Sequence, residues 1–521
     1  MARRAVSIIS PLGLWGAAAA ALLLFLTLGT LAAVAWQAEF TRGLGRADIA
    51  ALRFTLIQAF FSALLSVALA IPVARALARR QFPGRQILIT LLGAPFILPV
   101  IVAVLGLLAV FGRAGIFNQM LNAFGFETVS VYGFSGVLLA HVFFNLPLAT
   151  RLILQSWLAI PAERFRLAQS LGFAPRDMFR QIEWPMLREV IPGIFAVIFL
   201  ICTTSFAVAL TLGGGPKATT IELAIYQALR SDFAPGKAAL LSSIQFLLCT
   251  LAAWSAWYFT RHQDAAAGFD RAVQRSDAGA VGLRIQDGLC LGFAAFFVIL
   301  PLAMVIKSGL TGILNMPDVV WWAALRSVLM AIASSIVMLS LVLPLAQIAA
   351  KEKRAWPEAI AYLSVSASPL VIGTGLFILL NPYFSPRDLA LPVTIIVNAA
   401  MAIPFALRGL LPAMREVEAS YAPLADQLGM AGFARFRLLT LPRIRRPLGF
   451  ALGLTAALSM GDLGVVALFA DPDAGTLPLM IYRLMGAYRM EQAAGAALLL
   501  LILSLALFMI FDRGGQKNAD T

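Results

Sequence analysis

The sequence predicts an all-α polytopic membrane protein of about twelve helices, arranged as two parallel repeats. Three observations carry this. Hydrophobic residues make up 60% of the 521 positions and charged residues only 13%. A single soluble core stops growing beyond roughly 250–300 residues, so the surplus apolar surface must face lipid. Apolar runs long enough to cross a bilayer recur along the whole chain, and the second half of the chain repeats the first.

A hydrocarbon core of about 30 Å is crossed by roughly 20 helical residues. In order, runs of this kind lie near 12–36, 53–77, 87–112, 133–154, 190–212 and 237–260. After a polar interval they continue near 288–306, 324–350, 358–380, 390–411, 447–470 and 491–512. The run at 12–36 exceeds the apolar stretch of a secretory signal and lacks a clear cleavage context, so it reads as an uncleaved first span. Residues 261–287 form the long polar stretch in mid-chain. They divide a first transmembrane half, 1–260, from a second, 288–521, and read as a cytoplasmic linker.

Lys and Arg total 40 and gather in alternate loops, most densely at 151–188 and 408–446. By the positive-inside rule these loops face the cytoplasm, which puts both termini inside as well. The same bias accounts for the net charge of +14. No basic stretch interleaves with aromatics on a polar domain, which argues against a nucleic-acid partner. Cys202, Cys249 and Cys290 sit in apolar runs, and His141 and His262 are far apart. That usage fits neither a metal site nor a disulfide framework.

The repeat is most legible in polar positions. At an offset of 257 residues Pro147, Ala149 and Arg151 fall on Pro404, Ala406 and Arg408. Leu167, Ala168, Leu171 and Gly172 fall on Leu424, Ala425, Leu428 and Gly429, and Pro185 falls on Pro442. Upstream the offset widens to about 272, as in Pro72 against Pro344, so the first half carries the longer external loop. An even number of spans per half gives both copies one orientation, hence a parallel repeat about the membrane normal.

The best-repeated stretch is a cytoplasmic loop, RLAQSLGFAPRDMFRQIEWP in the first half and PLADQLGMAGFARFRLLTLP in the second. Tyr421, Leu424, Ala425 and Leu428 follow helical spacing, and Leu167, Ala168 and Leu171 copy it. Gly172 and Gly429 then end the helix, since glycine readily takes the left-handed conformation. A second short helix returns to the membrane, with Pro185 or Pro442 marking re-entry. A lone copy would read as a helix lying on the membrane surface. Two copies, each with Gly thirteen residues before Pro, read as docking elements for a partner.

The spacing A-x-x-x-G-(nine residues)-[IL]-x-[WL]-P resembles the EAA loop of ATP-driven (ABC) importer permeases of type I, the MetI-like fold. The resemblance implies that these loops dock on a cytoplasmic ATPase and couple its closure to the membrane helices. The matching positions are Leu167, Ala168, Gly172, Ile182 and Pro185, with Leu424, Ala425, Gly429, Leu439 and Pro442. Arg166 and Pro423 stand where the family has its leading glutamate, which removes any specific ion pair expected there. The chain has no G-x-x-x-x-G-K-[ST] phosphate loop; Gly236-Lys237 lacks the upstream glycine and the hydroxyl residue. The chain is therefore expected to be a permease rather than an enzyme, with no cofactor of its own. ATP and Mg would sit on two copies of a separate ATPase.

Three stretches are similar specifically to thiamine and thiamine pyrophosphate permeases, a fused two-domain family dependent on binding proteins. They are YGFSGVLLAHVFFNLPLATR (132–151), LGGGPKATTIELAIYQAL (212–229) and GDLGVVALF (461–469). This resemblance implies vitamin import across a bacterial inner membrane, loaded by a periplasmic binding protein. Ferric-iron permeases of the same size are the alternative substrate class, and a secondary transporter is the alternative mechanism. Within the spans Asp462 is the acid that stands out, and a central acid is expensive in a membrane. It reads either as a contact or gate for a cationic solute, or as a structural hydrogen bond. At the 257 offset it matches Ser205, which would put the two across a central path. His141, Asn145 and Asn398 are further polar members of inner spans, each equally readable as interhelical glue.

Overall fold

The computed structural model describes residues 11–40, 43–93, 95, 97–260, 279–352, 354–469 and 475–516. His262 and most of the expected linker, 261–278, lie outside them. Every regular element among the described residues is helical. Eleven helices are long and apolar enough to cross a membrane. The pair Trp356–Ser364 and Pro369–Leu380, bent by 85°, makes a twelfth span if taken as one.

Several expected spans are interrupted rather than continuous. The run at 87–112 divides into Arg85–Leu91 and Val100–Phe111. Pro99 caps the second piece, and proline disfavours helix at the residue before it. The run at 190–212 breaks between Trp184–Thr203 and Phe206–Leu212, at Thr204 and Ser205. Its repeat breaks between Leu441–Met460 and Gly464–Phe469, at Gly461 and Asp462. Glycine and short polar side chains favour such a break because they exchange helix bonds for local ones.

The repeat is written into element boundaries. The helices Arg46–Arg79 and Asp318–Lys351 are both 34 residues long. The π-helical turns Phe179–Glu183 and Phe436–Thr440 match end to end at the 257 offset. So do Trp184–Thr203 and Leu441–Met460. Equivalent tertiary bonds accompany them. Thr55 Oγ1 accepts from the backbone N–H of Ile221 at 2.9 Å, starting the helix Ile221–Arg230. Ser327 Oγ accepts from Leu477 N–H at 2.8 Å, starting Leu477–Gly486.

The helix Arg46–Arg79 has a small, partly polar inner face and a large apolar outer one. On Arg46–Arg79 the buried side carries Ala59, Ser62, Ala63, Ser66 and Ala70, whereas Phe60, Phe61, Leu64 and Leu65 are exposed. Small inward residues let helices approach closely where no hydrophobic effect draws them together; the outward side chains suit lipid.

The two halves clasp one another. The first-half N-terminal helical segments Pro11–Leu24 and Thr30–Gln37 pack on Asp318–Lys351 and Pro369–Leu380 of the second half. Reciprocally, Val281–Gly312 packs on Val100–Phe111 and Arg46–Arg79 of the first. Glycine sits at both crossings. A Cβ at Gly106 would lie 2.6 Å from the Pro301 carbonyl oxygen, and one at Gly375 would lie 2.5 Å from Thr30 Cβ. Two ion pairs fasten the start of the second half to the first: Arg80 Nε to Asp287 Oδ2 at 2.6 Å, and Arg79 Nη1 to the same oxygen at 3.6 Å.

Candidate functional site: paired loops and a central cavity

Both repeated loops close with the same backbone geometry. In the first, the helix Ala162–Ser170 ends at Gly172 with φ +70°. Phe173 N–H bonds the Ala168 carbonyl at 3.0 Å, and Gly172 N–H bonds that of Gln169 at 3.0 Å. The second ends at Gly429 with φ +66°, with Met430 N–H on Ala425 and Gly429 N–H on Asp426. This paired 6→1 and 5→2 pattern satisfies carbonyls that a helix end leaves orphaned, and it needs a residue tolerant of positive φ. Ala168 and Ala425 point inward in both copies, and the neighbouring leucines point out. Leu167 is 61% exposed and Leu171 63%, with Leu424 and Leu428 alike. The four-residue stripe expected from spacing therefore splits: alanine anchors the loop, and leucines form its free surface. Ile182 and Leu439 pack beneath, while Pro185 and Pro442 lie exposed at the second residue of their re-entering helices.

The anchors differ between copies. The first loop is held by an apolar cluster of Phe165, Ala168 and Met178. At the position of Met178 the second loop has Arg435. Its guanidinium donates to Glu418 at 3.1 Å and to Asp426 at 2.8 Å. Pro161 separates the first loop helix from its span. The second loop helix continues unbroken from the 42-residue helix Pro386–Gln427. The first copy is instead bolted to the membrane helices by charge. Arg75 Nε donates to the fully buried Glu183 at 2.7 Å and lies 4.8 Å above the Phe179 ring.

Between the halves, at the breaks just described, lies a cavity of about 320 Å³. Four of the five polar residues singled out from sequence line it: His141, Asn145, Ser205 and Asp462. The breaks abut, with Gly464 against the Phe206 ring. Asn398 stands behind the wall, its amide toward Asp462 and its Nδ2 donating to Ser459 at 3.2 Å. Ser459 in turn donates to Ser334 at 3.0 Å. The first half has the matching chain: Ser62 Oγ meets His141 Nδ1 at 3.1 Å, and Asn145 donates to Cys202. Asp462 faces the backbone N–H groups of Gly464, Val465 and Val466 and also the cavity. No group of three metal-ligating side chains occurs among the described residues.

No protein-family model matches the chain. It is 40% identical over 479 residues to the thiamine transport system permease protein ThiP of Brucella abortus, covering 90% of this chain and 88% of the relative. ThiP of Escherichia coli is 41% identical over 486 residues, 90% of each chain. ThiP of Haemophilus influenzae is 34% identical over 484 residues, with 90% of this chain and 88% of the relative covered. The chain belongs to the family of thiamine transport system permeases. It is a multi-pass membrane permease of ABC type and not an enzyme.

One cavity residue of this ThiP-family chain escapes sequence reading. Glu222 lies outside every apolar run, in a stretch that looks like an external loop. Its helix Ile221–Arg230 nevertheless turns Ile221, Glu222, Leu223, Ile225 and Leu229 all inward. A glutamate on the apolar side of an amphipathic segment is the signal that would have found it. It is 1% exposed, accepts from Gln245 Nε2 at 3.0 Å and from Ser368 of the second half, and lines the cavity.

Proposed function

We propose that this chain is the membrane-spanning permease of a thiamine importer in a bacterial inner membrane. Two copies of a cytoplasmic ATPase dock on its loops, and a periplasmic binding protein delivers the vitamin to its outer face. The observation that carries the reading is the duplicated loop, identical in backbone closure in both halves, in a chain of this family. Each loop presents a leucine pair, Leu167 with Leu171 and Leu424 with Leu428, to the side on which basic loops gather. Apolar side chains standing in water are what a groove on a partner would cover. The paths into the membrane start at Glu183, through Arg75 to the helix Arg46–Arg79, and at Leu439, beneath the second loop. Closure of the ATPase pair moves the loops together. The re-entering helices Trp184–Thr203 and Leu441–Met460 carry that movement to their broken ends at the cavity.

In this reading His141, Ser205, Asp462 and, behind them, Asn398 belong to the translocation path. Both termini face the cytoplasm with the basic loops. Nucleotide and Mg are held by the ATPase, and the permease binds no cofactor.

The test is uptake of labelled thiamine by vesicles holding the chain, its ATPase and its binding protein. Uptake is expected to need internal ATP and to survive collapse of ion gradients. Accumulation driven by an ion gradient without ATP overturns the mechanism. Uptake of labelled ferric iron in place of thiamine overturns the substrate.

A further inference from the structure

We propose that a second cavity, at the seam between the halves, binds one membrane phospholipid with a primary ammonium headgroup, a phosphatidylethanolamine. The site lies apart from the translocation path and does not depend on which solute the permease carries. The cavity measures about 490 Å³ and lies among Val100–Phe111 of the first half and Val281–Gly312 and Met490–Gln516 of the second. Val281–Gly312 meets Val100–Phe111 tightly at Pro301 and Gly106, and meets Met490–Gln516 at Gly312 and Gly495. Its own lining residues, Met304 to Thr311, fall between those two crossings. Inside, the wall is apolar, with Leu105, Leu108, Val305 and Ala497 all buried. Protein interiors are close-packed, and water against such a wall finds too few polar partners. A hydrocarbon chain fills it without loss.

The rim is polar and sits at the depth of a headgroup layer. Asp287, near the start of Val281–Gly312, pairs with Arg80, at the same end of Arg46–Arg79 as the Arg75 bond to the first loop's Glu183. Residues 288–306 carry no charge, and Lys307 follows. About twenty helical residues rise roughly 30 Å, the thickness of a hydrocarbon core. Lys307 therefore stands at the headgroups of the leaflet remote from the loops. It is exposed and has no ion-pair partner among the described residues. A lysine at the end of a span ordinarily reaches into bulk headgroups. This one lines the cavity together with Glu491, whose Oε1 accepts from Asn315 at 3.1 Å. A lipid phosphate answers Lys307, and an ammonium on the same headgroup answers Glu491. An anionic glycerol headgroup supplies no cation for Glu491. A lipid seated here touches both halves and so reinforces their clasp.

The test takes the full chain, purified in mild detergent and stripped of lipid. It is offered an equimolar mixture of dioleoyl phosphatidylethanolamine and dioleoyl phosphatidylglycerol. Native mass spectrometry reads the lipid retained, and thermal unfolding reads its effect. The wild-type chain is expected to keep one phosphatidylethanolamine, about threefold in preference to phosphatidylglycerol, and to unfold about 2 °C higher with it than without. Lys307→Gln and Glu491→Gln should each lower that retention about threefold, the effect of one exposed charge pair. Ala109→Trp, which fills the cavity from its wall, should abolish it. Arg113→Gln, exposed nearby but not lining the cavity, should leave it unchanged. Wild-type retention in both neutral variants at the rim overturns the site. Equal retention of the two lipids, or the same loss in Arg113→Gln, overturns it too.

Discussion

Arg75 and Glu183 are separated by 108 residues in sequence and by 2.7 Å in space. Glu183 is fully buried, whereas Arg75 retains some access to solvent. Removing one member of a buried pair costs far more than exchanging both, because the survivor keeps its desolvation penalty. Arg75→Met should therefore destabilise the purified protein by about 3 kcal/mol, and Glu183→Gln by less. The double variant should recover part of the loss. Thermal unfolding of the three in one detergent checks this, and equal losses in all three would mean that the pair is not the source. Neither this pair nor Arg80 with Asp287 was legible in the sequence, because long-range charge pairing leaves no local pattern. What spacing did reveal at this scale were Gly172 and Gly429, whose role is set by their own backbone angles. Glu222 stayed hidden for a related reason: hydropathy ranks it as loop, and only its helix orientation brings it to the cavity.

The loop helices turn on a left-handed residue, and proline is locked near φ −65°. Gly172→Pro or Gly429→Pro should leave the protein inserted in the membrane and abolish coupled uptake; normal uptake in both would remove the docking role. Because the two loops are anchored differently, they should also respond differently. Arg435→Met breaks the second loop's bonds to Glu418 and Asp426, pairs that are only partly buried and so contribute about 1 kcal/mol. Amide exchange over 426–440 should accelerate by about fivefold, with 169–183 unchanged. Acceleration in both loops would show that they do not act as separate units. The existence and order of these elements could be read from sequence because apolar runs and paired Gly and Pro punctuate them. Their interruptions could not. A run such as 190–212 stays apolar through its break, and only Thr204 and Ser205 mark where the helix yields.

Across the whole molecule the repeat was visible as matched Pro, Gly and Arg, but the mutual clasp was not, since packing partners outside a helix leave no periodicity. The crossings at Gly106 and Gly375 leave no room for a side chain. Gly106→Leu or Gly375→Leu should each destabilise the fold by about 3 kcal/mol or more, read as lowered thermal stability. A Leu at Gly409, whose Cβ would meet nothing, should not. The clasp also means that each half completes the other. Segments 1–260 and 279–521 expressed together should copurify and support uptake, and either alone should not accumulate as folded protein. Independent folding of one segment would contradict that dependence.

Joining both halves in one polypeptide also frees each from copying the other. In a symmetric pair of identical subunits, any side chain near the axis appears twice. Here Glu222 is answered by Pro478, and Asp462 by Ser205. The wall of the cavity consequently differs from one half to the other, which no pair of identical subunits could achieve.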